Sequence, residues 1–439
     1  MKKAFLSLGV LLLMASLVSC GGNSTTTDDS GTDSGTDDGS DTETGGSTTD
    51  KPGSDNESGE SGGSGSSGGG SASSTASITY GDISSTQAVV KINSKSYTYK
   101  ASLVVSGEEK TVTGETFTNS DSDSNVIVVC NGGTLNLTDC TLNKTGDGTG
   151  YTSDEYNFYG MNSAIICIGE GSTINMNNTT ISTGAEGANA VFSFGGAIIN
   201  ISGANIKTTS NSSRGLYSTY TGIISATDVN ITTQGAHCAP LATDRGGGYV
   251  YLTGGTNYVE AHGDGSPCIY STGDIEVTNL TGYSEVAQTM VIEGKNIIKV
   301  SDSTLTSDSK SNDGIMLYQS MSGDASDDVA SQTYSTLTIE NSTIKYNGSG
   351  DYGLYLITNT TSVVNSMNVT YETNDDDFIW CGAVRWGTDG SNGRKLTYNS
   401  VGETIAKNIS TNTTDSTIAL NLGTGSTFTG TKTGNVTVA

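Results

Sequence analysis

One phrase returns along most of this chain and limits what it can fold into. It is a Gly turn, then apolar–polar–apolar, two or three small polar residues, and another apolar residue. The clearest copy is Gly133-Thr134-Leu135-Asn136-Leu137-Thr138-Asp139-Cys140-Thr141-Leu142. It recurs at Ile174, Ile199, Ile224, Val250, Ile275, Ile298 and Leu337, and weaker copies open at Val364, Leu396 and Ile418. The gaps between first members are 39, 25, 25, 26, 25, 23, 39, 27, 32 and 22 residues. A core period near 25 with insertions marks a solenoid, whose repeats bury their apolar faces only by stacking. Alternation within each copy predicts a short strand with one side buried. Between copies lies a second apolar segment that opens on a small residue, as in Ala190-Val191-Phe192, Gly215-Leu216-Tyr217, Gly314-Ile315-Met316-Leu317 and Gly353-Leu354-Tyr355-Leu356.

Two or three strands in so short a repeat are too tight for propeller blades of about 40–45 residues. They fit a coil of parallel β-helix, each strand pairing with its counterpart one turn along. Apolar stacks then fill the lumen, and Asn or Ser/Thr ladders line the bends. Eleven rungs at a spacing of about 4.8 Å give a cylinder about 53 Å long. On these strand phrases, residues 115–439 resemble the right-handed parallel β-helix (pectin lyase-like) repeats of bacterial surface lipoproteins and adhesin-like proteins. The resemblance implies an all-β solenoid and says little about activity, because that scaffold carries lyases, hydrolases and inert stalks alike. Residues 78–114 match the period badly and are expected to form a small N-terminal β cap over the first coil.

The N-terminus reads as an address. Lys2 and Lys3 precede an apolar run from Ala4 to Val18, the pattern of a secretory signal too short to remain as a spanning helix. Its ending, Leu17-Val18-Ser19-Cys20, resembles the bacterial lipoprotein box. That resemblance implies removal of residues 1–19, lipidation of Cys20 and, with Gly21 following, an outer-membrane anchor. Acyl chains would hold the protein by about 0.8 kcal/mol per buried CH₂. Residues 20–77 are Gly, Ser, Thr and acidic residues with almost nothing apolar, so they are expected to be a disordered tether. As a flexible coil, residues 21–77 would span about 42 Å.

Charge narrows the partners. The chain carries 20 basic and 46 acidic residues, a net of −26, a field that repels nucleic acid. Past Cys20 there are six cysteines, Cys130, Cys140, Cys167, Cys238, Cys268 and Cys381, with no Cys-x-x-Cys spacing to suggest zinc. Cys140 reads as a small core residue, and a Cys238–Cys268 disulfide between neighbouring rungs is conceivable.

Catalytic phrases of the fold's enzymes are absent: Trp-x-Asp-His of pectate lyases, and Asn-Thr-Asp, Gly-His-Gly and Arg-Ile-Lys of polygalacturonases. His237 and His262 are the only histidines. Large polar groups are rare, and several sit at or beside the second apolar segments. Arg214, Asp244, Arg245, Glu293, Lys295, Tyr318, Gln319, Arg385 and Trp386, together with His237, are the candidates for a polar, aromatic-edged strip along one flank. Such a strip suits sugars, whose hydroxyls take planar donors and whose apolar faces take a ring. The competing reading is that Asp244 with Arg245, and Glu293 with Lys295, are ordinary surface ion pairs worth about 0–1 kcal/mol. Asp375-Asp376-Asp377 and Asp324, Asp327 and Asp328 offer oxygens of the kind Ca²⁺ takes, without a loop motif of defined spacing; no other cofactor is implied. The expectation is a non-catalytic, membrane-anchored surface lipoprotein that contacts a polysaccharide or host-cell ligand through a β-helix flank. The alternative is a pectin-lyase-fold polysaccharide lyase or glycoside hydrolase.

Overall fold

A computed structural model describes residues 75–310, 313–320, 334–348, 350–384 and 394–439. The chain divides into two compact units, Met1–Ser67 and Gly68–Ala439; every described residue belongs to the second. Cys20 and the expected tether up to residue 74 therefore lie outside the described residues.

The second unit is a parallel β-solenoid. Each coil contributes a short strand to one sheet (sheet I) and a longer, bent strand to another (sheet II). Sheet I contains 15 strands among the described residues, and from Ser124–Cys130 onward each pairs in parallel with the next coil's strand. In sheet II, Thr173–Thr183, Ile198–Thr208 and Gly222–Thr233 pair in register over both arms of their bend.

The bend is written in the sequence. At the corner stand Asp139, Asn178, Gly203, Asp228, Asn279, Asp302, Asn341, Asn368 and Gly402, all with φ between 49° and 80°. Left-handed backbone is open to Gly and, with a short polar side chain, to Asn and Asp. The side chains also bond along the column: Asn178 Nδ2 donates to Asp139 Oδ1 at 2.6 Å and Asn368 Nδ2 to Asn341 Oδ1 at 3.1 Å.

The expected apolar column fills the lumen. Leu135, Ile174, Ile199, Ile224, Val250, Ile275, Ile298, Leu337 and Val364 pair coil to coil and are all 0% exposed. Full burial of each is worth roughly 1.5–3 kcal/mol. Beyond Val364 the register differs from the sequence reading. Val364 pairs with Tyr398 and Ser362 with Leu396, while Leu396 pairs with Ile418. A slip of two residues keeps every side chain on its face, so the alternating pattern is blind to it. Cys140 occupies the column of Thr179, Ala204 and Val229 and is buried.

At the N-terminus, β1 (Ile78–Ser84), β2 (Gln87–Ile92) and the start of β3 (Lys95–Ser106) pair antiparallel and form the small cap. The parallel winding begins inside β3, where Lys100–Ser106 pairs with Ser124–Cys130. Ala88, Val90, Ile92 and Tyr99 share a buried cluster with Val128, Ile166, Phe192 and Phe194, and Tyr80 O–H donates to the Ile168 carbonyl at 3.0 Å. The cap thus also covers outward side chains of the first rungs. The first long gap of the repeat holds helix α1 (Ser153–Tyr159), set by a Thr152–Glu155 capping box and ended by Gly160 at φ 66°.

Candidate functional site

Sheet I strands offer four side-chain positions. The first and third face the lumen, where Val191, Leu216, Leu241, Ile269, Met290 and Ile315 join the main core. The second and fourth face outward. Register places Phe192, Tyr217, Ala242, Tyr270, Val291 and Met316 in one outward column. By the same register Thr219, Asp244, Thr272, Glu293 and Tyr318 form the other.

Five of the residues picked from sequence meet here: Arg214, Asp244, Arg245, Glu293 and Tyr318. Tyr217 O–H donates to Asp244 Oδ2 at 2.9 Å, and the Arg245 main-chain N–H donates to Asp244 Oδ1 at 2.9 Å. Arg214 stacks over the Tyr217 ring at 4.5 Å and donates from Nη1 to Asn157 Oδ1 at 2.9 Å. Arg245 lies over the Phe158 ring at 3.9 Å and pairs with Asp154 at 3.2 Å. Helix α1 therefore roofs the N-terminal end of the face. One coil beyond Thr272, Glu293 accepts from Tyr318 O–H at 2.9 Å and from Tyr270 O–H.

Both carboxyls are held above the usual carboxylate range. For Asp244 burial is the main cause, opposed by the Arg214 charge and the Tyr217 hydrogen bond. For Glu293 burial again dominates, opposed by hydrogen bonds from Ser320, Tyr270 and Tyr318, and the Asp244 charge adds to the rise. Between the two rungs, Thr272 Oγ1 is buried without a partner. Farther along, partly buried Tyr270, Tyr352 and Trp380 flank an apolar patch of Val291, Met316 and Leu356. The Tyr352 and Trp380 rings are 4.6 Å apart.

Other candidates lie elsewhere. His237 is an exposed turn residue with φ 56°, and its N–H donates to the Asp264 carbonyl at 2.9 Å. Lys295 is half-buried in the turn after Glu293. Gln319 is buried beside Tyr318, and its carbonyl accepts from Asn359 Nδ2 at 3.1 Å. His262 follows the sheet II strand Asn257–Ala261 and lies between Glu285, at 2.7 Å, and Glu260, at 3.4 Å. Arg385 and Trp386 lie outside the described residues, as do Asp324, Asp327 and Asp328. Asp375 and Asp377 form a turn of their own, with Asp377 N–H donating to Asp375 Oδ1 at 2.9 Å. Among the described residues, no group of three or more His, Cys, Asp or Glu side chains is arranged to hold a metal ion.

The six described cysteines are free and buried. Cys238 is level with Ser266, whose Oγ accepts its N–H at 2.9 Å, while the Cys268 carbonyl accepts from Leu241 N–H. That two-residue offset keeps the Cys238–Cys268 pair from forming a bridge. Burial pushes the Cys238 thiol up to about 11.

Sequence reading missed Tyr217, Tyr270 and Thr272. Each tyrosine follows a lumen residue in its apolar segment, which is the signal for an outward place on a short strand. No protein-family model, curated protein or solved structure matches the chain.

Proposed function

We propose that this protein is a surface-displayed lipoprotein that binds glycan without cleaving it, through the outer face of sheet I. The observation that carries the reading is the gathering of Asp244, Glu293, Tyr270 and Tyr318 on one outward face beside the Tyr352–Trp380 ring pair. Carboxyl and phenol groups suit sugar hydroxyls, and half-exposed rings suit the apolar face of a pyranose. Both carboxyls already accept tyrosine hydrogen bonds and both arginines are stacked on rings, an arrangement suited to holding rather than reacting. Lipidation of Cys20, with residues 21–77 as tether, would display the solenoid from the outer membrane. No helix among the described residues is long and apolar enough to cross a membrane.

A glycan array with the purified solenoid tests this. Binding should weaken at least tenfold, about 1.4 kcal/mol, in Trp380→Ala. An array on which no glycan, matrix protein or cell surface is bound overturns it. A second reading, glycosidic cleavage, is favoured by one observation: two carboxyls held above their usual range, Asp244 and Glu293, stand two rungs apart in the same outward column, and paired carboxyls are what glycosidic hydrolysis uses. A reducing-end or unsaturated-product assay decides between them. Turnover lost in both Asp244→Asn and Glu293→Gln establishes the second reading, and its absence across polysaccharides retains the first.

A further inference from the structure

A groove of about 500 Å³ runs along the outer face of the first arm of sheet II, from Asn136 to Thr253. One wall is the column Asn136, Asn175, Asn200 and Ser225; the other is Thr138, Asn177, Ser202 and Thr227. The floor is main chain, because Leu137, Met176, Ile201 and Ala226 turn their side chains into the lumen. Ser202 and Ser225 are the shortest side chains in the groove's walls. The groove stops where Tyr251 takes the place of Ser225 in the next coil, with the Tyr249 ring 6.1 Å away.

The amides form a directed run. Asn200 Nδ2 donates to Asn175 Oδ1 at 2.9 Å, Asn175 Nδ2 to Asn136 Oδ1 at 2.8 Å, and Asn136 Nδ2 to Glu109 Oε1 at 2.9 Å. Asn175 and Asn200 each spend one N–H on the preceding amide and keep a second N–H and a carbonyl lone pair, whereas Asn136 Nδ2 also reaches Thr111 Oγ1 at 3.5 Å; chained amides polarise one another. No charged residue lines the groove, in a chain of net charge −26.

We propose that this groove is a binding track for a linear, uncharged polysaccharide lying along the solenoid axis. Hydroxyls of such a polymer exchange water for one amide or hydroxyl per rung, about every 4.8 Å, and a sugar ring stacks on the Tyr249–Tyr251 pair at the end. A polyanion would be desolvated there without a counter-charge and is repelled by the chain as a whole. The track is separate from the sheet I face, whose groups are carboxyls and arginines.

Affinity electrophoresis of the intact protein through gels containing soluble xylan, mannan, mixed-linkage β-glucan or polygalacturonate tests it. At least one neutral polymer should retard the protein and polygalacturonate should not. Ser225→Trp, which fills the groove, and Tyr251→Ala, which removes its end, should each weaken retardation at least tenfold. Asn399→Ala should leave retardation unchanged, since the Asn365–Asn399–Asn421 run has the same chemistry but lies outside the groove. Thermal melts identify a misfolded Ser225→Trp, in which case the retardation of Tyr251→Ala decides alone. Retardation by no neutral polymer, or retardation that survives both groove variants, overturns the proposal and leaves the amides a structural ladder only. Loss in Trp380→Ala alone overturns the track while retaining the sheet I reading.

Discussion

Asp313 shows what burying a single carboxyl does in this solenoid. It is 2% exposed, it accepts from Gln288 Nε2 at 3.5 Å, and burial with the Asp351 charge pushes it up to about 7. Its folded value lies above its unfolded one, so its stabilising contribution is full below about pH 4 and is lost as pH rises through 7. The change is on the order of 4 kcal/mol. The native chain should therefore melt lower at pH 8 than at pH 5, and Asp313→Asn should shrink the difference. Parallel pH profiles for the two proteins would remove Asp313 as the cause. A second residue-scale test sits at the corner. Asn178 holds φ 49° and bonds to Asp139, so Asn178→Val should cost about 1–3 kcal/mol, while Asn178→Gly, which keeps the backbone conformation available, should cost less. Equal urea midpoints for the two variants would show that the left-handed angle is not what selects this residue.

At the scale of elements, α1 couples the cap to the face of sheet I. Glu155 pairs with Lys95 on β3, the Tyr99 hydroxyl donates to the Tyr159 carbonyl at 2.7 Å, and Phe158 supports Arg245. Thr152→Ala removes the capping box and should cost about 1 kcal/mol. The loss should be read as faster amide exchange in residues 153–159 and in the cap strands together. Exchange confined to the helix would mean that the coupling is absent. This insertion was not legible as a helix, because the repeat reading treats a 39-residue gap as a skipped beat, although Thr152 and Glu155 carry the capping signature. The lumen columns were legible because burial on one face imposes period two, and for the same reason the slip after Val364 was silent. Arg214, Asp244, Arg245, Glu293 and Tyr318 could be grouped from sequence because each sits at or beside the same segment of its coil. Tyr217 and Tyr270 escaped, since an aromatic residue beside a lumen aliphatic reads as core whichever way it points.

For the molecule as a whole, a solenoid's stability is close to a sum over coils and their interfaces, so uneven filling of the lumen implies uneven unfolding. Through the central coils the second lumen column is Met176, Ile201, Ala226, Leu252, Val277, Val300 and Ile339. Ile339 then pairs with Ser366, and Ser366 with Ser400. Into the room these serines leave come Tyr371, Tyr398 and Glu403. Glu403 accepts from Ser366, and from Ser400 Oγ at 2.8 Å. This network buries less apolar surface than an aliphatic column, and burial holds the Glu403 carboxyl above its ordinary range, so ionising it opposes folding. Hydrogen exchange should find residues 394–439 opening first and residues 165–300 last. Raising pH through the folded pKa of Glu403 should speed the C-terminal exchange beyond the intrinsic base-catalysed rate, and Glu403→Gln should abolish that excess while leaving the central coils unchanged. Uniform protection from residue 165 to residue 439 would mean that the coils unfold as one unit and that the polar rungs are no weaker than the aliphatic ones.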